Sequence, residues 1–322
     1  MQPVPPSHDR TISVAVFGRD EAVHIGGCLR ALAVAGEVAQ ARLQVTVLLN
    51  GTRDASAAAA SAAIGESGLA ARLYTIAHGD KANAINQYLH ALRPQAALHV
   101  FVDAYAAVRP DALAWLSARL AAHPAAQAAA AMPSQGRSAA AMRREMQSHP
   151  GLHGSLFALR GSFVDRLVAA GIRLPVGLYR GDGLLGAMVL HDQDAAGGGW
   201  LMERLVLVPE ASWTAPAWQP WRWRDVLRHL HRKLRQGRAR LEWAALRPLI
   251  YRDGFAALPQ DAGQMVLDGF GPGKPHRAPP IWRDPFAALA LAQIRQAGPL
   301  PPPEALLPRL LPPRLLPRSE AT

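Results

Sequence analysis

A chain of 322 residues, half of them hydrophobic, has enough apolar mass for one large domain or two modest ones, which excludes an intrinsically disordered protein. A formal charge of +11 is the kind of signature nucleic-acid and membrane-surface proteins carry, yet only Lys81, Lys233 and Lys274 of the 35 basic residues are lysines, and alanine is abundant. That bias points to codon usage, so where the charges lie matters more than their sum. The single cysteine, Cys28, excludes an internal disulfide or a cysteine-based zinc cluster and is expected to pack as a small core residue of the first helix. Met1–Asp9 holds three prolines and no apolar run of signal-peptide type, and no stretch of about 18 apolar residues occurs. These features predict a cytoplasmic protein.

In chain order, strands are predicted at Ile12–Phe17, Gln44–Leu49, Leu73–Ala77 and Leu98–Val102. Each is followed by a helical pattern, from about Asp20 to Val34, over 54–64, from Asp80 to Leu92 and from Pro110 to Ala122. Strands alternating with helices of this length predict βαβ units and a mostly parallel sheet. Further on, helices are predicted over 138–148, Ser162–Ala170 and Asp182–Leu190, with strands at Gly154–Leu159 and Leu205–Val208 and a loop from Leu174 to Gly181. The Trp- and Arg-rich stretch 213–243 reads as helical from about Arg222, and the Pro- and Leu-rich stretch 299–318 as extended and poorly ordered.

Five segments carry residues suited to chemistry. In His99–Leu113 an apolar strand stops at Asp103 before a Pro-started helix, which puts a carboxylate at the strand end where open α/β sheets bind ligands; an ordinary strand-to-helix turn is the plain alternative. Ser13–Glu21 is an apolar strand running into Asp20-Glu21, two acids that also suit a helix start. Asn50-Gly-Thr-Arg-Asp54 follows the second strand and doubles as a turn and cap sequence. His78-Gly-Asp-Lys-Ala-Asn-Ala-Ile-Asn86 places Lys81 at a helix start, where it reaches a phosphate or stays solvated. Leu178-Tyr-Arg-Gly-Asp-Gly-Leu-Leu-Gly186 puts Asp182 at the head of an apolar helix, as a base or as a cap.

Together, the first four by their chain order and spacing within one β/α alternation and Leu178–Gly186 downstream of it, the segments resemble family-2 glycosyltransferases over about two thirds of the chain. The resemblance implies a glycosyltransferase-A type, Rossmann-like α/β domain over 11–245, a mostly parallel sheet flanked by helices, with a Pro-rich and partly disordered extension over 246–322. It implies inverting transfer of a sugar from a nucleotide diphosphate sugar to the hydroxyl of a glycan or lipid-linked acceptor. Phe17, Glu21, Asn50, Asp54 and Lys81 would contact the donor, Asp103 would hold Mg²⁺ or Mn²⁺ on its diphosphate, and Asp182 would deprotonate the acceptor. Tyr105 stands where such proteins carry a second metal-site acid, and Gly181 where an acid precedes the base.

Residues 221–252 hold ten Lys or Arg against Asp225 and Glu242. The resemblance assigns Arg235 and Arg238 to the diphosphate, whereas the charge alone also suits peripheral contact with the inner face of the cell membrane or a solvated basic face. No nucleic acid is expected as partner. No Trp follows Arg238, so processive polymer synthesis is unsupported. Two other classes stay open, a degenerate nucleotide-sugar-binding protein and a sugar-phosphate nucleotidyltransferase, though the Gly-rich first loop of the latter is missing. The histidines have no metal-binding spacing.

Overall fold

The computed structural model describes residues 11–134, 139–214 and 223–312, with backbone alone for 223–229. The expectations for residue 138, for 215–222 and for 313–318 lie outside the described residues.

β1 (Thr11–Gly18), β2 (Arg42–Asn50), β3 (Ala71–Ile76) and β4 (Leu98–Asp103) are joined by α1 (Ile25–Val38), α2 (Ser56–Ser67) and α3 (Lys81–Gln87), the last continued by a π-helical turn over Tyr88–Leu92. Then come β5 (Ala107–Val108), α4 (Ala112–Ala122), β6 (Ala128–Pro133), α5 (Ala139–Ser148), β7 (Leu156–Arg160), α6 (Gly161–Ala169), α7 (Gly181–Leu190) and β8 (Leu205–Thr214). The C-terminal part contributes α8 (Trp223–Asp253), α9 (Ala262–Gly269), α10 (Pro285–Gln296), α11 (Pro303–Leu306) and β9 (Pro308–Leu311).

Among the described residues the strands form one sheet in the order β5-β8-β6-β7-β4-β1-β2-β3-β9. β3, β2, β1 and β4 run parallel, while β7 is antiparallel to β4 and to β6. Val-, Ile- and Leu-rich strands with helices on both faces bury both sides, as a parallel sheet requires. Alternation splits β4: Val100 and Val102 face one core with α1, α2 and α4, whereas Phe101 faces the other, which α3, α6, α7, α8, α9 and α10 share. The α/β sandwich expected from the alternation is present. The chain leaves β1 toward β2 on one side and β4 lies on the other, so a crevice opens at the C-terminal ends of β1 and β4.

Four expectations need correction. The first helix starts at Ile25, not Asp20, because Asp20 sits at φ 55° and its carboxylate accepts the Arg53 N–H at 2.7 Å, which keeps 19–24 in a loop. β6 was not expected: alanines favour helices in isolation, but Ala128–Ala131 are fully buried between β7 and β8, where only small side chains are needed. The tail is not simply extended, since α11 and β9 fold back and β9 pairs antiparallel with β3 along Leu73–Ile76. The boundary after 245 falls inside α8, and Leu246, Ile250, Met265 and Leu291 belong to the same apolar core as β4's Phe101.

Candidate functional site

The crevice is built first by loops that tie to one another. Asn50 ends β2 and donates from Nδ2 to the Gly18 carbonyl at 3.2 Å. Asp54 accepts the Ala22 N–H at 3.0 Å, the Ser56 N–H at 2.9 Å and the Ser56 hydroxyl, and Ser56 Oγ accepts the Glu21 N–H at 2.7 Å. Burial would raise the Asp54 pKa, but these hydrogen bonds outweigh it and hold the carboxyl below its ordinary value. Gly51, at φ 63°, lies so close to Gly79 that an added Cβ would come within 2.4 Å of the Gly79 Cα. The loops after β2 and β3 therefore touch backbone to backbone.

Phe17 comes near the end of β1 opposite Asp103 of β4. Its ring is buried and stacks on Phe101 at 6.0 Å, which in turn stacks on Phe157 at 4.7 Å. The Lys81 ammonium sits 6.0 Å from the Phe17 ring centre, so that ring is an apolar floor beneath a charge.

Lys81 opens α3 just after Asp80, whose carboxylate caps the helix through the Ala82 and Asn83 N–H groups at 3.0 and 3.3 Å and also accepts the Gly177 N–H at 2.7 Å. Burial raises the Asp80 pKa against those three bonds. The half-buried Lys81 side chain makes a close ion pair with Asp103 and reaches the Gly154 carbonyl at 3.4 Å. Burial disfavours its charge, yet Asp103 and Asp182 outweigh that and hold the ammonium's pKa above its ordinary value.

Asp182, in the first turn of α7, accepts the Gly154 N–H at 2.8 Å and the Gly183 N–H at 2.9 Å. Gly154 is where the cluster meets: a Cβ there would come within 2.7 Å of Lys81 Nζ, 3.2 Å of Asp182 Oδ2 and 3.5 Å of Asp103 Oδ2. A larger residue there would displace the Lys81 ammonium from its present place. Lys81, Asp103 and Asp182, 101 positions apart at their extremes, thus converge at the C-terminal end of β4.

His153, Tyr105 and Tyr179 belong to the surroundings, and of these only Tyr105 stood out in the sequence. His153 stacks on Trp213 at 5.5 Å; burial lowers its pKa, although Asp182 and Asp103 pull the other way. Its only sequence signal is adjacency to Gly154. The Tyr105 hydroxyl hydrogen-bonds with Ser155 Oγ at 2.9 Å, and burial followed by the Asp103 charge pushes its pKa up, so it stays a neutral phenol. The Cys28 thiol is likewise held protonated by burial and packs in the core of α1, with Sγ 3.8 Å from the Asp103 carbonyl.

Tyr179 lies on the loop before α7, and the Arg235 guanidinium of α8 stacks over its ring at 5.6 Å. Arg238 is committed differently: Nε donates to Glu242 at 2.6 Å and a terminal nitrogen to the Gly177 carbonyl at 2.7 Å. The buried Glu242 also accepts the Tyr179 N–H at 2.9 Å, and burial raises its pKa despite Arg238. Arg238 therefore fastens the 174–181 loop.

The donor set does not fit a divalent cation. Mg²⁺ and Mn²⁺ take oxygen ligands from one or two carboxylates, but here Asp103 is paired with an ammonium and the expected second acid is the neutral Tyr105. Among the described residues no group of three His, Cys, Asp or Glu is placed to hold a metal. The assignment of a metal to Asp103 is not carried forward.

No family model and no curated protein matches the chain. Solved structures do. A mannosyltransferase from Pyrobaculum calidifontis, solved with GDP-Man and Mn²⁺, aligns over 94% of this chain and 79% of its own at 20% identity and a TM-score of 0.56. S. aureus TarS 1–349 in complex with UDP-GlcNAc aligns over 90% and 82% at 13% identity and a TM-score of 0.52. At these identities the likeness is one of fold, and that fold is the glycosyltransferase-A type expected from the sequence. Among the described residues no helix is long and apolar enough to cross a membrane.

Proposed function

We propose that the protein transfers a sugar from a nucleotide diphosphate sugar to an acceptor hydroxyl with inversion at the anomeric carbon. The observation that carries this reading is the convergence of Lys81, Asp103 and Asp182 on Gly154, in a crevice walled by the loops after β1, β2 and β3. The nucleoside lies against the loops holding Glu21, Asn50 and Asp54, and the diphosphate extends toward Lys81 and Arg235. Asp182 takes the proton of the acceptor hydroxyl as its oxygen bonds to the anomeric carbon. The bond from that carbon to the phosphate oxygen breaks, and the nucleoside diphosphate leaves with the electron pair.

Two backbone N–H bonds fix the Asp182 carboxylate, which suits a base that must be oriented before the acceptor arrives. The acceptor is a glycan or a lipid-linked hydroxyl. Exposed Arg232 and Lys233 on α8 support peripheral contact with an anionic membrane face. Flotation with anionic vesicles that weakens steeply with salt is the expected result.

A thermal-shift panel of UDP-, GDP- and dTDP-sugars followed by assay of donor hydrolysis tests the function. Stabilisation by one donor together with its slow hydrolysis is expected. Binding without turnover, with hydroxyl acceptors present, would instead favour a nucleotide-sugar-binding protein, for which Tyr105 and Gly181 are the relevant departures. No binding by any donor would remove the reading altogether.

A further inference from the structure

We infer that Lys81 replaces the divalent cation in this site: its ammonium, positioned by Asp103, neutralises the donor diphosphate, and donor binding needs no metal. The inference rests on the transferase reading and specifies how its leaving group is held.

Three observations support it independently. The first is electrostatic. A carboxylate at the end of β4 is the natural seat for a metal, and here the Lys81 ammonium occupies it in a close ion pair with Asp103. A lysine so placed serves a phosphate as a point charge with three donors, of which Asp103 and the Gly154 carbonyl engage two.

The second is chemical. Tyr105, its hydroxyl 2.9 Å from Ser155 Oγ, stands where a second carboxylate would help Asp103 hold a dication. The phenol adds no negative charge.

The third is steric. Gly154 leaves the space that lets Lys81 reach Asp103, since any Cβ would sit 2.7 Å from the ammonium nitrogen. The Phe17 ring centre lies 6.0 Å from the same nitrogen. Asp80, tied both to α3 and to Gly177, fixes where the lysine's backbone starts. The ammonium is thus enclosed by elements from β1, α3, β4 and the segment before β7. In this arrangement Asp103 is a positioning residue that acts through Lys81.

The experiment is calorimetric titration of UDP, GDP and dTDP into the full chain, in chelator and again in Mn²⁺, with Lys81→Ala, Lys81→Arg and Asp103→Asn alongside. The preferred nucleotide should bind wild type with affinities in chelator and in Mn²⁺ that agree within about twofold. Lys81→Ala should weaken binding in chelator by at least about tenfold and regain part of it in Mn²⁺, because the Asp103 carboxylate is then free to accept a metal. Lys81→Arg, which keeps the charge, should stay insensitive to chelator. Asp103→Asn should weaken binding less than Lys81→Ala does and should not create a metal requirement.

Wild-type binding that requires Mn²⁺ and vanishes in Asp103→Asn would overturn the inference while leaving the transferase reading standing. Full affinity in Lys81→Ala in chelator would overturn it as well. Failure of all three nucleotides with and without Mn²⁺ would overturn the transferase reading and this inference with it. Thermal melting of each variant separates a lost fold from a lost contact.

Discussion

The two walls of the crevice are held by different means. On the wall formed after β1 and β2, loops from neighbouring strands bond to each other across short sequence distances: Asp20 to Arg53 at 33 residues, Asp54 to Ala22 at 32 and Ser56 to Glu21 at 35. The opposite wall, the 174–181 loop leading into α7, is fastened by Asp80 to Gly177 across 97 residues, Tyr179 to Glu242 across 63 and Arg238 to Gly177 across 61. The first wall uses turn and cap chemistry that adjacent strands impose locally. The second uses buried or half-buried acids and an arginine that acquire partners only when α3 and α8 close on the loop. One wall is rigid by construction of the sheet, and the other is set by side chains that single substitutions can release.

The strongest test of this contrast is Asp182→Asn, which keeps the shape of the second wall but removes the base. Transfer should fall by about 100-fold or more, with nucleotide affinity unchanged within about twofold. Steady-state kinetics beside calorimetry checks it, and retained turnover would leave Asp182 as the acceptor of two N–H groups and nothing more.

A second test concerns the sheet beneath the first wall. His99 is fully buried, its Nδ1 bonded to the Tyr88 hydroxyl at 2.8 Å, which also meets Ser13 at 2.7 Å. Burial, reinforced by Arg93, lowers its pKa to about 4. The folded state therefore keeps a neutral imidazole, while the unfolded chain takes up a proton below its ordinary value of 6.5. This contribution is fully present above pH 6.5 and is lost as pH falls toward 4, on the order of 3 kcal/mol across that window. Denaturant melts of wild type and His99→Asn over this range should show a clearly smaller loss in the variant.

Arg238→Ala bears on the second wall alone. It leaves the buried Glu242 without its cation and frees the Gly177 carbonyl, which should cost about 2 kcal/mol of stability and raise the KM for the donor through the loop, not through lost diphosphate contact. Replacing Glu242 by Gln in the same chain should recover part of that stability, since the uncompensated charge is gone. Chemical denaturation of the single and double variants measures the recovery, and none would mean that Arg238 acts on the ligand directly.

The smallest effect is expected on the first wall. Asp54→Ala removes three accepted hydrogen bonds at the start of α2 and should cost about 1 kcal/mol, as a lost helix cap does. Because the Asp54 pKa lies below its ordinary value when folded, that contribution is present above the unfolded pKa and disappears as pH falls through the folded one. Equal stability of wild type and variant near neutral pH would show that the sheet alone holds the loop.

The alternation of apolar strands and helices from Thr11 to Ala122 determined the parallel half of the sheet, because period-2 burial and cap residues act within a few positions of one another. It also placed Asp103 and Lys81 at element ends, Asn50 at a strand end and Asp182 at the head of a helix. What it could not determine was who meets whom. Asp103 looked like a metal ligand while Lys81 was considered separately, and only the approach of α3 to β4, with Gly154 leaving the space between, brings the two charges into contact. Ala128–Ala131 became a strand because pairing and close packing between β7 and β8 overrode helix propensity. Pro308–Leu311 became one because β3 offered an unpaired edge. Arg238 acquires Glu242 and the Gly177 carbonyl as partners for the same reason: long-range partners are assigned by three-dimensional packing, and residue types along the chain record only what each side chain is able to do.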